Sequence, residues 1–555
     1  MVDPRLGHDI LDQGLDCPLR CPTENYSLGS STAGDTQLVC VSINGSGLDG
    51  QQLTEKTPLL VLDANVSASV TPLIEEEHQA ALDDANSPTK EIVMDELKHI
   101  LGMSGPLLLT VIMEQIPNTL TMMMIGHTDP ERSTEILAAM GLTGLFQMLL
   151  ISGVSHGIGV ALDTVCAQAF GGKRYLEMWL MIQAGVLMFA ASLPVLVPIF
   201  LNGATILCML GQDPALAETA WAFLFLNALS LPLVSIYVVQ KTILQTQNIT
   251  GPMATSSVVS YMVSLPSAYV LGFWTPLSYI GVAASSIINY AIKTLFLVPV
   301  IKRSPVYQDT WPGWKLKEAT QLLLKILPLG FSSMLLVTLQ TAGYTVMSIA
   351  VGYLPDPAVA ITANSIFIQV ASFAVTPVMA LVVAGAVRTG NALGAGQARR
   401  AELVSSTIVG LCFSTAFFGM VIVMCAATPI ARAFTNDPDA VDVTVDVFLR
   451  VGIAIPIIGA TFGIQSIFRA CGEQWFCAKL NILFVLVIGA PLGLFFATAM
   501  DGGITGLWLG NSLGFLALTV AAGVWLYHMN WEQMVHNARM NSHFHAEVVP
   551  TAEVA

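Results

Sequence analysis

Gly159-Val-Ala-Leu-Asp-Thr-Val-Cys-Ala-Gln-Ala-Phe-Gly-Gly-Lys-Arg174 returns, altered, as Ala386-Val-Arg-Thr-Gly-Asn-Ala-Leu-Gly-Ala-Gly-Gln-Ala-Arg399. The copies align without a gap at an offset of 225 residues, each after an apolar run and before basic residues. Gln147 and Gln369, Pro232 and Pro456, and Gly281 and Gly506 repeat at offsets of 222, 224 and 225. So small a drift implies duplication of a whole unit. The chain is 54% hydrophobic and 11% charged, against about 25% charged for soluble domains. It therefore reads as a membrane protein of two similar halves. Halves of the same orientation are related by an axis along the membrane normal, with a path between them.

Outward from that repeat, apolar runs of the ~20 residues needed to cross a bilayer fall near 100–125, 136–160, 178–201, 219–240, 253–274, 279–301, 322–352, 358–385, 403–430, 447–468, 480–499 and 503–527. The expected fold is an all-α polytopic membrane protein with about twelve transmembrane helices in two pseudo-symmetric six-helix lobes. The polar stretch Lys302…Lys317 divides the spans six and six. The expected organisation is a disordered acidic tail over 1–95, an N-lobe over 96–303, a linker over 304–320, a C-lobe over 321–530 and a C-terminal tail over 531–555. The polar first residues lack the apolar core of a cleavable signal peptide, so the first span is expected to direct insertion.

The formal net charge of −15 is a property of the tail, since residues 1–98 hold 17 Asp/Glu and 5 Lys/Arg. No basic cluster points to nucleic acid. Basic residues such as Lys173, Arg174, Lys302, Arg303, Arg388, Arg399 and Arg400 concentrate in loops on one side. The positive-inside rule then puts both termini in the cytosol. The sequons at Asn25, Asn44, Asn65 and Asn248 should consequently go unglycosylated. Nine scattered cysteines complete no zinc pattern, and neither a metal nor a cofactor is expected. Glu55-Lys-Thr-Pro-Leu59-Leu60 fits an acidic dileucine sorting signal read by cytosolic adaptors. It would direct the protein to a vacuolar or lysosome-like membrane. Without it the expected destination is the plasma membrane.

Ion coupling needs a titratable group away from bulk water, and such groups are costly in hydrocarbon. Glu114, midway along the first span in Val111-Ile-Met-Glu-Gln-Ile-Pro117, is the leading candidate. His156 in the second span and Asp163 at its end complete the expected ion-coupling set. Asp163 has Arg388 as its repeat equivalent, so the two were candidates to pair across the lobe interface or with loop charges. Gln115, Gln147, Asn227, Gln340, Tyr344, Asn364 and Gln369 are mid-span polar residues expected to line a cavity or bond across helices. Pro117, Pro232 and Pro456 are expected hinges, because proline frees a helix carbonyl. Met122, Met123 and Met124 read as lipid and lobe packing rather than a drug site.

Several of these segments resemble the multidrug and toxic compound extrusion (MATE) family, eukaryotic type. Ala161–Gly171 looks like its signature at the end of the second helix, and Val387–Gly396 like that at the end of the eighth. Ile125-Gly-His127, Leu244-Gln-Thr-Gln247 and Phe468-Arg-Ala-Cys-Gly472 fit as well, so the resemblance covers roughly 97–530. It implies a V-shaped monomeric exporter of two six-helix lobes, driven by inward H⁺ or Na⁺. The acid that many eukaryotic proton-coupled relatives carry in the seventh helix is Gln340 here, and the tenth span has none. Coupling is therefore expected in the N-lobe.

The expected function is a secondary antiporter exporting small organic solutes (organic cations, drugs or metabolites) in exchange for H⁺. No Gly-x-x-x-x-Gly-Lys loop is present to recruit ATP. Alternatives are a Na⁺-coupled exporter or a lipid-linked sugar flippase, which would need intramembrane Arg or Lys for pyrophosphate. Lys241 and Lys293 are the nearest, and both read as lying near cytosolic helix ends. A membrane-embedded transferase or receptor is the reading from another class. An enzyme would need a cluster of carboxylates or histidines, and only Glu114 and His156 are available.

Overall fold

The structure is a computed structural model that describes residues 26–33, 36–43, 84, 87–129, 131–435 and 437–543. Glu55, Leu59, Leu60 and the sequons at Asn25, Asn44 and Asn65 lie outside them. The chain forms two units, Met1–Ala80 and Ala81–Ala555. In the first, β1 (Tyr26–Ala33) pairs antiparallel with β2 (Thr36–Ile43), Ala33 opposite Thr36. The sequence had suggested no regular structure there. The alternation of β2, Thr-Gln-Leu-Val-Cys-Val-Ser-Ile, suits a pleated strand.

Among its described residues the second unit forms helices joined by short turns and no strands, because a chain in lipid must satisfy its backbone internally. The N-lobe passes are α1 (Thr89–Thr128), α2 (133–171), α3 (Tyr175–Leu201), α4 (Pro214–Thr246), α5 (Gly251–Phe273) and α6 (Ser278–Arg303). The C-lobe passes are α7 (Leu316–Val351), α8 (Pro357–Gly394), α9 (Ala398–Cys425), α10 (Pro438–Cys471), α11 (Gln474–Thr498) and α12 (Gly503–Tyr527). A further helix, α13 (Trp531–His543), follows. Helix α1 starts at Thr89, so the expected tail boundary at 95 falls inside it. The linker is likewise shorter than expected, since α7 begins at Leu316.

Repeat equivalence extends to the caps. Asp213 accepts from the Ala215 N–H at 2.8 Å ahead of Pro214, and Asp437 from the Asp439 N–H at 3.2 Å ahead of Pro438. A side-chain acceptor at the cap followed by proline is a strong helix start. After α4 and α10 the chain turns through left-handed conformations at Asn248 (φ 60°) and Gly472 (φ 83°). These are two residue types that tolerate that region.

Three departures concern helix interiors. In α2 the stretch Gln147–Ser152 is a π-turn, and in α11 so is Ile482–Gly489. Helix α7 bends by 56° between Leu324 and Ile326. The paired prolines also differ. Helix α4 runs through Pro232, whereas Pro456 follows a 3-10 turn at Gly452–Ala454 that breaks α10. Helix α1 runs continuously through position 117.

Apolar packing shows which way the lobes open. Near the end that carries the basic loops, one core takes side chains from both lobes. Ile100, Leu162, Trp179 and Leu297 pack with Val378, Leu381, Val404 and Ile408. Toward the opposite end the core divides. Ile125, Ile136, Phe200 and Leu224 form an N-lobe cluster, and Met347, Ile366, Phe448 and Trp508 a separate C-lobe cluster. Lobes joined at one end and separately packed at the other leave a cleft opening away from the basic loops.

Candidate functional site

Glu114 sits on the inner face of α1. Its Oε1 accepts from the Tyr237 hydroxyl of α4 at 3.2 Å and lies 3.6 Å from Lys293 Nζ of α6. Lys293 is 1% exposed, and its ammonium stands 4.9 Å from the Tyr261 ring centroid, 5.1 Å from Tyr237 and 5.6 Å from Tyr290. Three aromatic faces and a carboxylate around an ammonium are a cation cage. The Glu114 side chain keeps 36% of its surface open. Its partners come from α4 and α6, so the carboxylate is turned toward the N-lobe.

This corrects one expectation: Lys293 is not near a helix end, and it is the charged partner of Glu114. Helix α6 continues to Arg303, ten residues beyond Lys293, or about 15 Å at 1.5 Å per residue. A lysine that deep cannot snorkel to an interface, so it needs an internal counter-charge. His156 on α2 is exposed rather than packed and lies within electrostatic reach of Glu114, as does Lys241.

Asp163 and Arg388 do not pair with one another. Asp163 bonds Thr242, with Lys241 and Arg469 as its nearby cations, while its Oδ1 is buried without a hydrogen bond. Arg388 grips Glu96 of α1, Nε to Oε2 at 2.8 Å and Nη2 to Oε1 at 2.5 Å. Arg400 joins through Nε to Glu96 Oε1 and Nη2 to Asp95, and its backbone N–H donates to Asp84 at 3.0 Å. Carboxylates at the start of α1 thus hold the C-lobe signature. The reason is length. Helix α1 begins well before its apolar run and brings Glu96 level with Arg388.

The two signatures meet at the basic end. Thr164 donates to the Arg469 carbonyl at 2.7 Å, and Gln168 to the Ala470 carbonyl at 2.7 Å. In the reciprocal place Asn391 reaches Asn248, at 3.5 Å. Each copy therefore contacts the end of the fourth helix of the other lobe, as a pseudo-two-fold demands. Asn248, the one sequon among the described residues, lies in this interface. The linker is pinned alongside. Trp179 donates to Thr310 at 2.9 Å, and Gln183 bridges the Gly313 carbonyl (2.8 Å) and the Lys315 N–H (2.7 Å).

The polar residues expected in a cavity separate. Gln115 accepts from Thr376 of α8 at 3.1 Å, a strut between lobes. Asn364 is buried within the C-lobe, accepting from Trp508 at 2.9 Å and contacting Ser348 at 3.4 Å. Gln147 is exposed at the π-turn, and Asn227 and Gln369 are half-buried. The side chains of Pro117, Gln340 and Tyr344 lie outside the described ones. Met122 and Met123 are exposed and Met124 packs against the N-lobe core, which fits the packing reading. Among the described residues no three His, Cys, Asp or Glu are grouped as metal ligands. A cavity of about 850 Å³ between Leu354–Ala360 and Asp439–Ile504, at the acidic end of the C-lobe, touches none of the expected site residues.

The sequence matches the MatE family model twice, over residues 106–270 and 332–495. The chain belongs to the MatE family. One match in each lobe agrees with the duplication. The rabbit (Oryctolagus cuniculus) Multidrug and toxin extrusion protein 1 is 26% identical over 452 residues, 81% of this chain and 78% of that protein. The Homo sapiens protein of that name is 27% identical, over 82% of this chain and 79% of the relative. Protein DETOXIFICATION 17 of Arabidopsis thaliana is 25% identical over 80% and 93%. The fold superposes on the eukaryotic MATE transporter AtDTX14 with a TM-score of 0.73 at 20% identity, covering 81% of this chain and 99% of that one. An outward-facing MATE transporter structure gives 0.70 at 15% identity, over 82% and 99%. This MatE protein is accordingly a multi-pass membrane protein.

Proposed function

We propose that this MatE protein is a secondary active antiporter that exports small organic solutes in exchange for H⁺, with Glu114 as the coupling carboxylate. One observation carries the reading: a carboxylate inside the N-lobe is held by a tyrosine hydroxyl and an ammonium, with a third of its side chain open. Both partners favour its charged form, and both are lost or rearranged when a proton arrives. A proton can therefore change how α1, α4 and α6 are held together. Multidrug and toxin extrusion relatives, similar over most of the chain, support the export reading.

Sodium suits the site less well. A sodium cage needs several oxygen acceptors, whereas the groups nearest Glu114 are a phenol and an ammonium. A lipid-linked sugar flippase would need basic groups open to pyrophosphate, and Lys293 is turned onto Glu114 with 1% exposure. His156, within electrostatic reach of Glu114, is assigned to relaying protons to it. Asp163, beside Lys241, is assigned to passing them toward the basic end. With that end in the cytosol, both termini are cytosolic and the cleft is outward-open. The tail signal would set the destination through adaptors.

Proteoliposomes loaded with fluorescent organic solutes, given in turn a pH gradient and a Na⁺ gradient, test the reading. Efflux driven by the pH gradient alone is expected. Efflux driven only by Na⁺, or by neither, refutes it.

A further inference from the structure

Lys293 changes what the cavity can recognise. With Glu114 and Asp163 ionised, the charged groups facing the N-lobe interior are two carboxylates and two ammoniums, Lys241 and Lys293. The remaining polar groups around Glu114 are Tyr237 on α4, Tyr261 on α5, Tyr290 on α6 and His156 on α2. From the other lobe, α8 meets α1 through Thr376 at Gln115, α8 and α9 meet it through Arg388 and Arg400 at Glu96, and α10 brings Arg469 near Asp163. No net negative charge is left over to attract a cation.

We propose that Lys293 is a specificity-determining residue, which cancels the charge of Glu114 and turns the cavity toward neutral or anionic organic solutes rather than singly charged cations. The proposal rests on Glu114 as the proton-coupling group. Glu114 keeps 36% of its side chain open, while Lys293, 1% exposed, stands 3.6 Å from its carboxylate. A solute cation in contact with the carboxylate is then a little under twice as far from the ammonium. Coulomb energy falls as the inverse of distance, so the ammonium removes about half of the attraction. While both groups are charged the pair sums to zero, so a cation entering the N-lobe gains little from it. The three tyrosine faces add to the hold on the ammonium and keep it beside Glu114.

The test compares ethidium, a cationic dye, with fluorescein, an anionic one, by fluorescence anisotropy on the purified full-length chain and by uptake into proteoliposomes. The wild type should prefer fluorescein. K293Q should raise ethidium binding by roughly tenfold relative to fluorescein, and K293R should keep the wild-type ratio. E114Q/K293Q, which leaves no buried charge unpaired if K293Q folds poorly, should lose most of the preference. An ethidium-to-fluorescein ratio unmoved by both K293Q and E114Q/K293Q overturns the proposal, as does binding of neither dye to any variant. A ratio that reverses as expected, with uptake indifferent to a pH gradient, supports the role of Lys293 while refuting proton coupling.

Discussion

Arg388 of α8 and Glu96 of α1 form a two-pronged ion pair across the lobe interface, with Glu96 1% exposed and Arg400 bound to the same carboxylate. Such planar pairing is directional. It must break whenever the lobes part at the basic end, so it acts as a latch on the present state. Its strength lies mainly in what happens when one side is removed. Arg388→Ala with Arg400→Ala leaves Glu96 buried and unpaired, at a cost of about 3–5 kcal/mol. Adding Glu96→Leu should recover most of that loss, because an apolar replacement of the whole cluster leaves no orphan charge. Thermal melting of the three proteins in one detergent checks this. Equal melting of the double and triple variants would show that the carboxylate is not held by these arginines.

Gly394 lies against the Gln168 carbonyl and Gly171 against the Asn391 carbonyl, so closely that a Cβ at either position would overlap backbone atoms. Backbone cannot move aside as a flexible side chain can. Gly171→Val and Gly394→Val should therefore prevent closure at the basic end and bias the protein toward the state open on that side. Cysteines placed at Thr164 and Gln474, whose side chains bond at 3.0 Å, report the change. Crosslinking by a short bismaleimide should fall several-fold in either valine variant. Crosslinking at the wild-type level would mean that this contact does not set the state.

Much of this arrangement was legible. The spans could be read because lipid demands long apolar runs, and the duplication because Gly159–Arg174 and Ala386–Arg399 share an offset with distant prolines and glycines. Pairing was not legible. Repeat position offers Arg388 either Asp163 or a loop charge, and the partner it takes, Glu96, depends on how far α1 extends before its apolar run. Lys293 looked like a helix-end lysine because Lys302 and Arg303 follow it closely in sequence. The available signal was charge parity, since an intramembrane glutamate demands a partner. Tyr290, three residues before Lys293 on the same helical face, was a second. The π-turns at Gln147–Ser152 and Ile482–Gly489 leave no comparable trace, since both runs keep the apolar character of an ordinary span.

At the opposite end, Arg132 donates to Glu135 through Nη2 at 2.7 Å and Nε at 3.2 Å, and Thr219 of α4 donates to the same carboxylate at 2.6 Å. Glu135 precedes the apolar stretch that begins at 136. The Arg132 hydrogen bond, followed by that of Thr219, holds its carboxyl down at about 2. A lowered value means that the contact stabilises the fold above the unfolded carboxylate range and is lost as pH falls toward 2. The group is exposed, so the effect is small and weakened by salt. In an acid melting series, Arg132→Gln should melt slightly below the wild type by a constant amount above about pH 4.5, and the gap should close between about pH 4.5 and pH 2. A gap that is absent above about pH 4.5, or that persists unchanged down to about pH 2, would contradict the assignment.

Replacing Glu114 by glutamine tests coupling. Gln keeps an acceptor for the Tyr237 hydroxyl, which stands at 3.2 Å, but leaves Lys293 buried without its counter-charge. E114Q/K293Q, which removes both charges, controls for that loss, and the single variant is scored where it reaches the membrane. It carries no proton, so pH-gradient-driven efflux should fall to background, while gradient-free exchange of labelled for unlabelled solute continues. Glu114→Asp keeps the charge but draws it away from Lys293 by about one methylene. It should retain coupled efflux at a rate reduced roughly tenfold, the cost of a misplaced charged contact of about 1.4 kcal/mol. Loss of exchange along with efflux would mark Glu114 as a solute contact alone. Efflux unchanged in Glu114→Gln would remove it from coupling and leave Asp163 as the remaining carboxylate inside the N-lobe among the described residues.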